Sequence, residues 1–361
     1  MIRFIHLADV HLGAVPDRGC LWSHEREEEI WETFRRIIAV IRKNPVDLLF
    51  IAGDLFHHQP LMSQLEEINE LLGSIPDTRV FLMAGDQDYV REGSFYRQIQ
   101  WKPNVFFFDK EARSCMEFNE EQVYVYGLSY EHSEIREPLY DDWKPQEKPG
   151  FHVLMAHGGD MGHIPVDYQK LTGAGFDYIA MGHLHNYQVI LRDAALYAGA
   201  PEPLDWRDTG EHGYIEGEYE DGAVRTHFVP FSARICQNLI LTTDENTRQY
   251  DLEEMLRNEI MKRGGRNIYR VIIQGKKDPF SLFLPERLKH MGNITEVLDD
   301  SVPCYDLDGL LQKYRGTLIG DYIEFFQKDG RTAKEGKALY HGLQALLGIT
   351  VLTGERKNYD H

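Results

Sequence analysis

A chain of 361 residues, 42% hydrophobic and 27% charged, has a globular composition and exceeds one average domain, so two domains are expected. No apolar stretch approaches the roughly 20 residues that span a bilayer, and Met1-Ile-Arg-Phe-Ile runs straight into a strand, which argues against a membrane span or a signal peptide and predicts a cytoplasmic protein. The net charge of −19 sits in the N-terminal part: residues 1–234 carry 21 Lys and Arg against 39 Asp and Glu, and residues 235–361 carry 18 against 19. Such a surface repels phosphate backbones, so any nucleic-acid role needs a bound metal, a local basic patch or a basic partner.

In chain order, short apolar runs begin at Ile2, Asp47, Val80, Val123, His152 and Asp177. Near-continuous runs of this kind suit strands buried on both faces, and the amphipathic stretches Glu27 to Ile41 and Leu61 to Leu72 supply covering helices. A layered α/β architecture follows. The shorter runs from Ala195, Tyr214 and Val224 read as antiparallel strands, and 143–150 (WKPQEKPG) as an exposed local linker. The run Glu25 to Glu29 reads as a solvated helix face. Past Phe231 the texture changes to helix, strand, strand and two helices. These are a helix from Asp251 ending at Gly264, strands from Asn267 and Asn293, and helices from Tyr305 to Phe326 and Ala333 to Leu347. The four cysteines are scattered without C-x-x-C spacing and read as reduced thiols.

Almost every strand of the first part delivers Asp or His at its carboxyl end: Asp9 and His11, Asp54 and His57, Asp86 and Asp88, His157, then His183 and His185. In open α/β sheets ligands bind just outside those ends, so these residues are expected to converge on one site. Imidazole nitrogens and carboxylate oxygens suit borderline divalent metals such as Mn, Fe and Zn. About seven ligands exceed what one ion with open positions can use, which implies two ions. A metal pair can clamp a phosphoryl oxygen and activate water, and Asp54 is the natural bridge between them.

The stretches 4–13 (FIHLADVHLG), 52–57 (AGDLFH), 83–89 (MAGDQDY), 156–158 (AHG) and 181–185 (MGHLH) resemble the five motifs of the calcineurin-like metallophosphoesterases. In particular they resemble the SbcD branch of DNA repair exonucleases and its meiotic-recombination-eleven counterpart, as do 199–206 (GAPEPLDW) and 209–214 (TGEHGY). The resemblance implies a layered sandwich of two sheets flanked by helices over 1–234. It further implies a small α+β capping-like domain over 235–330, followed by a C-terminal helix and tail over 331–361. It implies two divalent ions per chain, manganese first and iron, zinc or magnesium as alternatives. One ion would be held by Asp9, His11, Asp54 and His185, the other by Asp54, Asp86, His157 and His183. His57 matches a family histidine near the scissile phosphate. The expected function is hydrolysis of DNA phosphodiester bonds, by a homodimer working with an SbcC-like coiled-coil ATPase. Position alone makes the helices over 305–347 candidates for docking that partner.

Two letters depart from the family pattern. Residues 85–88 read Gly-Asp-Gln-Asp where the family has Gly-Asn-His-Asp. Asp86 keeps an oxygen ligand and adds a charge. Gln87 stands where the family histidine stabilises the transition state or protonates the leaving oxygen; an amide can hydrogen-bond but cannot deliver a proton near neutral pH. Asp88, the partner of that histidine in the family, loses it. The expectation is therefore a nuclease slowed at Gln87, with a metal-binding scaffold or DNA-end sensor and a hydrolase of small phosphodiesters as the rival readings.

Overall fold

The computed structural model describes residues 1–327 and 332–348; the predicted tail over 349–361 lies outside the described residues. The chain forms two compact units, Met1–Cys236 and Gln237–His361.

In chain order the first unit contains β1 (Ile2–Leu7), α1 (Ser23–Lys43), β2 (Leu48–Ala52), α2 (Met62–Gly73), β3 (Arg79–Met83), β4 (Val105–Phe108), β5 (Ser114–Phe118) and β6 (Val123–Gly127). These are followed by β7 (Phe151–His157), α3 (Tyr168–Thr172), β8 (Tyr178–Gly182), β9 (Gln188–Leu191), β10 (Ala195–Tyr197), β11 (Gly213–Glu220) and β12 (Ala223–Pro230). Two six-stranded sheets result, in the orders β12-β11-β1-β2-β3-β4 and β5-β6-β7-β8-β10-β9. β1 to β4 are mutually parallel, and so are β6, β7, β8 and β10.

The period-2 alternation of each strand explains the layering. Phe4, Leu48, Phe50, Phe81 and Met83 point between the sheets and meet Val125, Phe151, Val153, Met155 and Tyr178. The alternate residues Ile5, Leu7, Leu49, Ile51, Val80 and Leu82 pack beneath α1 and α2 through Phe34, Ile37, Ile38, Ile41, Leu65, Ile68 and Leu72. The outer face of the second sheet is covered by α3 and by irregular chain carrying Tyr130, Tyr140, Trp143 and Ile164.

Three local expectations are corrected in this unit. Ala195–Tyr197 is antiparallel only to β9 and runs parallel to β8, because the chain leaves β8, makes a hairpin and returns beside it. The stretch 143–150 is irregular and largely exposed as expected, and the correction concerns only its first residue: Trp143 is buried against Tyr140 and Tyr126. Within Glu25 to Glu29, Arg26 is fully buried and Glu29 is bonded by Arg26 and Arg234, so only part of that face is solvated.

The second unit is a small α+β assembly. It holds β13 (Cys236–Thr243), α4 (Gln249–Arg263), β14 (Ile268–Lys277), α5 (Pro285–Lys289), β15 (Ile294–Asp299), β16 (Val302–Pro303), α6 (Leu307–Lys313), α7 (Leu318–Phe326) and α8 (Ala333–Leu346). Its sheet runs β13-β14-β15, with β16 beside β14. The helix expected over Tyr305 to Phe326 is broken in two, where Gly316 takes a positive φ of 73° and Thr317 restarts the chain. α6, α7 and α8 share a small core around Ile323, Leu339 and Leu343. All four cysteines are free thiols. No helix among the described residues is long and apolar enough to cross a membrane.

Candidate metal centre

The loops leaving β1 and β2 run side by side beyond their strands. Asp9 N–H donates to Gly53 O (3.1 Å), His11 N–H to Asp54 O (3.0 Å) and Leu12 N–H to Leu55 O (2.9 Å), which fixes Asp9, His11 and Asp54 on one edge. The loop after β3 brings Asp86, β7 ends in His157, and the turn after β8 brings His183 and His185 to the same place. Asp9, His11, Asp54 and His183 all have positive φ, between 49° and 101°. For non-glycine residues this costs of order 1–3 kcal/mol each and persists only where the surroundings enforce it, as at functional sites.

The side chains form two groups around one carboxylate. Ligand atoms of Asp9, His11 and His185 lie within 4.8 Å of one another, as do those of Asp86, His157 and His183. Asp86 Oδ1 is 3.0 Å from both His157 Nε2 and His183 Nδ1. Asp54 Oδ2 lies between the groups, 3.6 Å from His11 Nε2 on one side and 3.6 Å from His157 Nε2 on the other. His11 Nε2 is buried without a hydrogen-bond partner, an arrangement that is costly unless something else takes the lone pair.

The electrostatics point the same way. Asp9, Asp54, Asp86 and Asp88 are all buried within this region. Burial pushes the Asp9 carboxyl up, against the opposing pull of His157, and pushes Asp54 well up, reinforced by the charges of Asp86, Asp88 and Asp9. For Asp86 burial is outweighed by hydrogen bonds from His157 and His183, which hold it well below the usual carboxylate range. His11 is driven well below its ordinary value by burial and by the neighbouring His185 and His57. A neutral imidazole among crowded carboxylates is the donor chemistry of a divalent-cation site, so the residues present fit such ions.

The remaining sequence-predicted residues occupy different positions. His57 is half-buried, with Nδ1 3.2 Å from His11 Nδ1. Gln87 is exposed at the site; its backbone N–H donates to Asp54 Oδ1 (2.9 Å) and its side-chain amide to Asp86 Oδ2 (2.7 Å). The two departures from the family pattern are thus bonded to each other: the second carboxylate oxygen that distinguishes Asp from Asn accepts from the amide that replaces imidazole. Asp88 accepts from Gly85 N–H (2.8 Å), Phe56 N–H (3.1 Å) and Tyr96 O–H (2.6 Å), tying the loops after β2 and β3 together.

Three residues outside the predicted set join the cluster. Asp160 Oδ2 is 2.8 Å from His183 Nε2, His163 Nε2 is 3.8 Å from Asp86 Oδ2, and Asp208 Oδ2 is 3.3 Å from His185 Nδ1. Asp160 and His163 flank a Met-Gly pair three residues after His157, and Asp208 sits in 205–208 (DWRD). Neither spacing is distinctive in sequence, since each reaches the site only through a folded loop.

The chain belongs to the calcineurin-like phosphoesterase family, whose match covers residues 2–187, just over half of its length. Such proteins are metal-dependent phosphoesterases, and the fold and the clusters above agree with that class. The chain is 25% identical over 327 residues to the metallophosphoesterase YhaO of Bacillus subtilis, covering 82% of this chain and 76% of that protein. It is also 25% identical over 352 residues to the DNA double-strand break repair protein Mre11 of Methanopyrus kandleri, covering 86% and 76%. The Mre11 of Methanocaldococcus jannaschii is 27% identical over 233 residues, covering 59% and 62%.

Proposed function

We propose that this protein is a DNA-processing phosphodiesterase that works with two divalent ions, manganese first among them. Asp9, His11 and His185 would hold one ion and Asp86, His157 and His183 the other, with Asp54 placed to serve both groups. The observation that carries this reading is the position of Asp54 Oδ2, equally far from His11 Nε2 and His157 Nε2, with His11 Nε2 unpartnered and aimed inward. When bound, such ions neutralise phosphate charge and activate water. The chain's own residues do the rest: the strained loops fix the ligand geometry, His57 borders the first group, Gln87 lines the open side, and Asp88 braces the loops.

The choice of DNA as substrate is supported by similarity to two Mre11 proteins and by the second unit, which follows the phosphoesterase unit as a capping domain would. The acidic first unit favours division of labour, with an SbcC-like coiled-coil ATPase supplying cationic grip to a homodimer of this chain. The exposed Leu318 and Phe325 on α7 make that helix region the candidate docking element. A second reading, a metal-loaded scaffold or DNA-end sensor, is favoured by Gln87, whose amide is engaged with Asp86 and carries no transferable proton.

The test is Mn²⁺-dependent cleavage of an end-labelled DNA duplex by the unaltered protein beside Gln87→His. Measurable cleavage by the unaltered chain, increased by up to about 10²–10⁴-fold in the variant, is the expected outcome. Cleavage by the variant alone would move the assignment to the scaffold reading, and silence from both would contradict the nuclease reading for the isolated chain.

A further inference from the structure

Each of the four clustered histidines has one ring nitrogen turned away from the candidate ion positions, and each of those nitrogens is engaged. His157 Nδ1 meets Ala52 O at 2.9 Å and His11 Nδ1 meets His57 Nδ1 at 3.2 Å. The two histidines of the His-Leu-His turn differ from these: His183 Nε2 meets the Asp160 carboxylate at 2.8 Å, and His185 Nδ1 meets that of Asp208 at 3.3 Å. A ring N–H donated outward to a carboxylate fixes the tautomer, orients the ring and raises the basicity of the nitrogen left facing inward.

Both carboxylates are themselves held by backbone. Asp160 Oδ1 accepts from Gly162 N–H (2.7 Å) and His163 N–H (3.0 Å), and His163 Nδ1 lies 2.9 Å from the same oxygen. Asp208 Oδ2 accepts from Leu204 and Asp205 N–H at 3.0 Å each. Groups fixed this way hold their histidines without an entropy cost at the moment of binding. They come from separate loops and touch the rings of histidines from different groups; a link between the groups on this side is backbone, His183 N–H donating to Asp9 at 2.9 Å.

We infer that Asp160 and Asp208 are positioning residues, one for each ion. Asp160 sets His183, and with it the ion shared with Asp86 and His157; Asp208 sets His185, and with it the ion shared with Asp9 and His11. This assignment rests on the two-ion reading above. It gives the protein separate control over its two affinities from two carboxylates outside the two ligand groups of that reading.

The experiment is titration of the full chain with Mn²⁺, following free Mn²⁺ by electron paramagnetic resonance. Asp160→Asn and Asp208→Asn keep side-chain shape and an acceptor for the backbone N–H groups; because Asp208 Oδ2 serves both His185 and the backbone, Asp208→Asn removes its charge and Asp208→Ala the contact itself, while Asp160→Ala and a melting curve for each variant guard against loss of folding. The unaltered chain binds two ions, and each Asn variant weakens one of them by about 10–100-fold while sparing the other. In a His183→Ala background Asp160→Asn has no further effect, whereas in a His185→Ala background it weakens the surviving ion; Asp208→Asn behaves in the opposite sense. A role in general stability would not reproduce that crossed pattern. Two tightly bound ions untouched by either substitution, or a loss by Asp160→Asn that persists in the His183→Ala background, would overturn this assignment alone. Failure of the unaltered chain to bind Mn²⁺ would overturn the two-ion reading and this assignment with it.

Discussion

At the scale of single residues, charge and imidazole were readable from sequence where they close a strand. Asp9, His11, Asp54, Asp86, His157, His183 and His185 each follow an apolar run, and the fold brings them together. Asp160 and Asp208 were not readable, because their partners lie 23 residues away in each case and the contacts depend on loop closure. Glu29 shows the converse limit. A cluster of acids on a helix usually faces water, yet Arg234, 2% exposed at its side chain, reaches Glu29 from more than 200 residues away. Burial works against the charge of Glu29, but the Arg234 and Arg26 guanidinium hydrogen bonds outweigh it and hold the carboxyl below its ordinary value of 4.5. A depressed folded-state value means that the stabilisation is fully present above pH 4.5 and is lost as pH falls through the folded value. Glu29→Gln therefore destabilises by about 1.5–3 kcal/mol at pH 7, as expected for losing hydrogen bonds to charged groups. Denaturant melts at pH 7 and at progressively lower pH check this: the gap between variant and parent narrows with acid, and a gap that widened would contradict it.

At the scale of elements, long apolar runs were the dependable signal. The runs from Ile2, Asp47, Val80, Val123, His152 and Asp177 all became strands, with ends shifted by a residue or so. What escaped were strands whose pattern is set by their neighbours. β5 and β9 are edge strands with mixed exposure; β5 has neither alternation nor a continuous apolar run, and the apolar run Val189 to Leu191 of β9 is too short to mark a strand by itself. β4 is a run of aromatics that reads equally as core filling. The loop after β3 illustrates how elements constrain the site: a Cβ at Gly85 would fall inside 3.0 Å of Asp54 Oδ1 and of the His157 ring. Gly85→Ala must push the shared carboxylate or the imidazole aside, an overpacking that costs typically 1–3 kcal/mol. The expected result is a lower melting temperature together with weakened binding of both ions in a Mn²⁺ titration; a variant that binds both ions as tightly as the parent would contradict the close approach.

At the scale of the whole molecule, the layered sandwich explains why residues 9 to 185 form one site. Parallel strands in both sheets send their carboxyl ends toward one edge, and the turns there carry the ligands. The chain divides into two compact units, Met1–Cys236 and Gln237–His361. Buried carboxylates crowded around unpartnered imidazole are unfavourable without cations, so the architecture and the electrostatics make the same demand. The most direct measurement is anomalous diffraction at the manganese edge from crystals grown with Mn²⁺. Two peaks per chain are expected, about 3.5–4 Å apart, flanking the Asp54 carboxylate. A single peak, no peak, or two peaks that do not share Asp54 would contradict the two-ion reading.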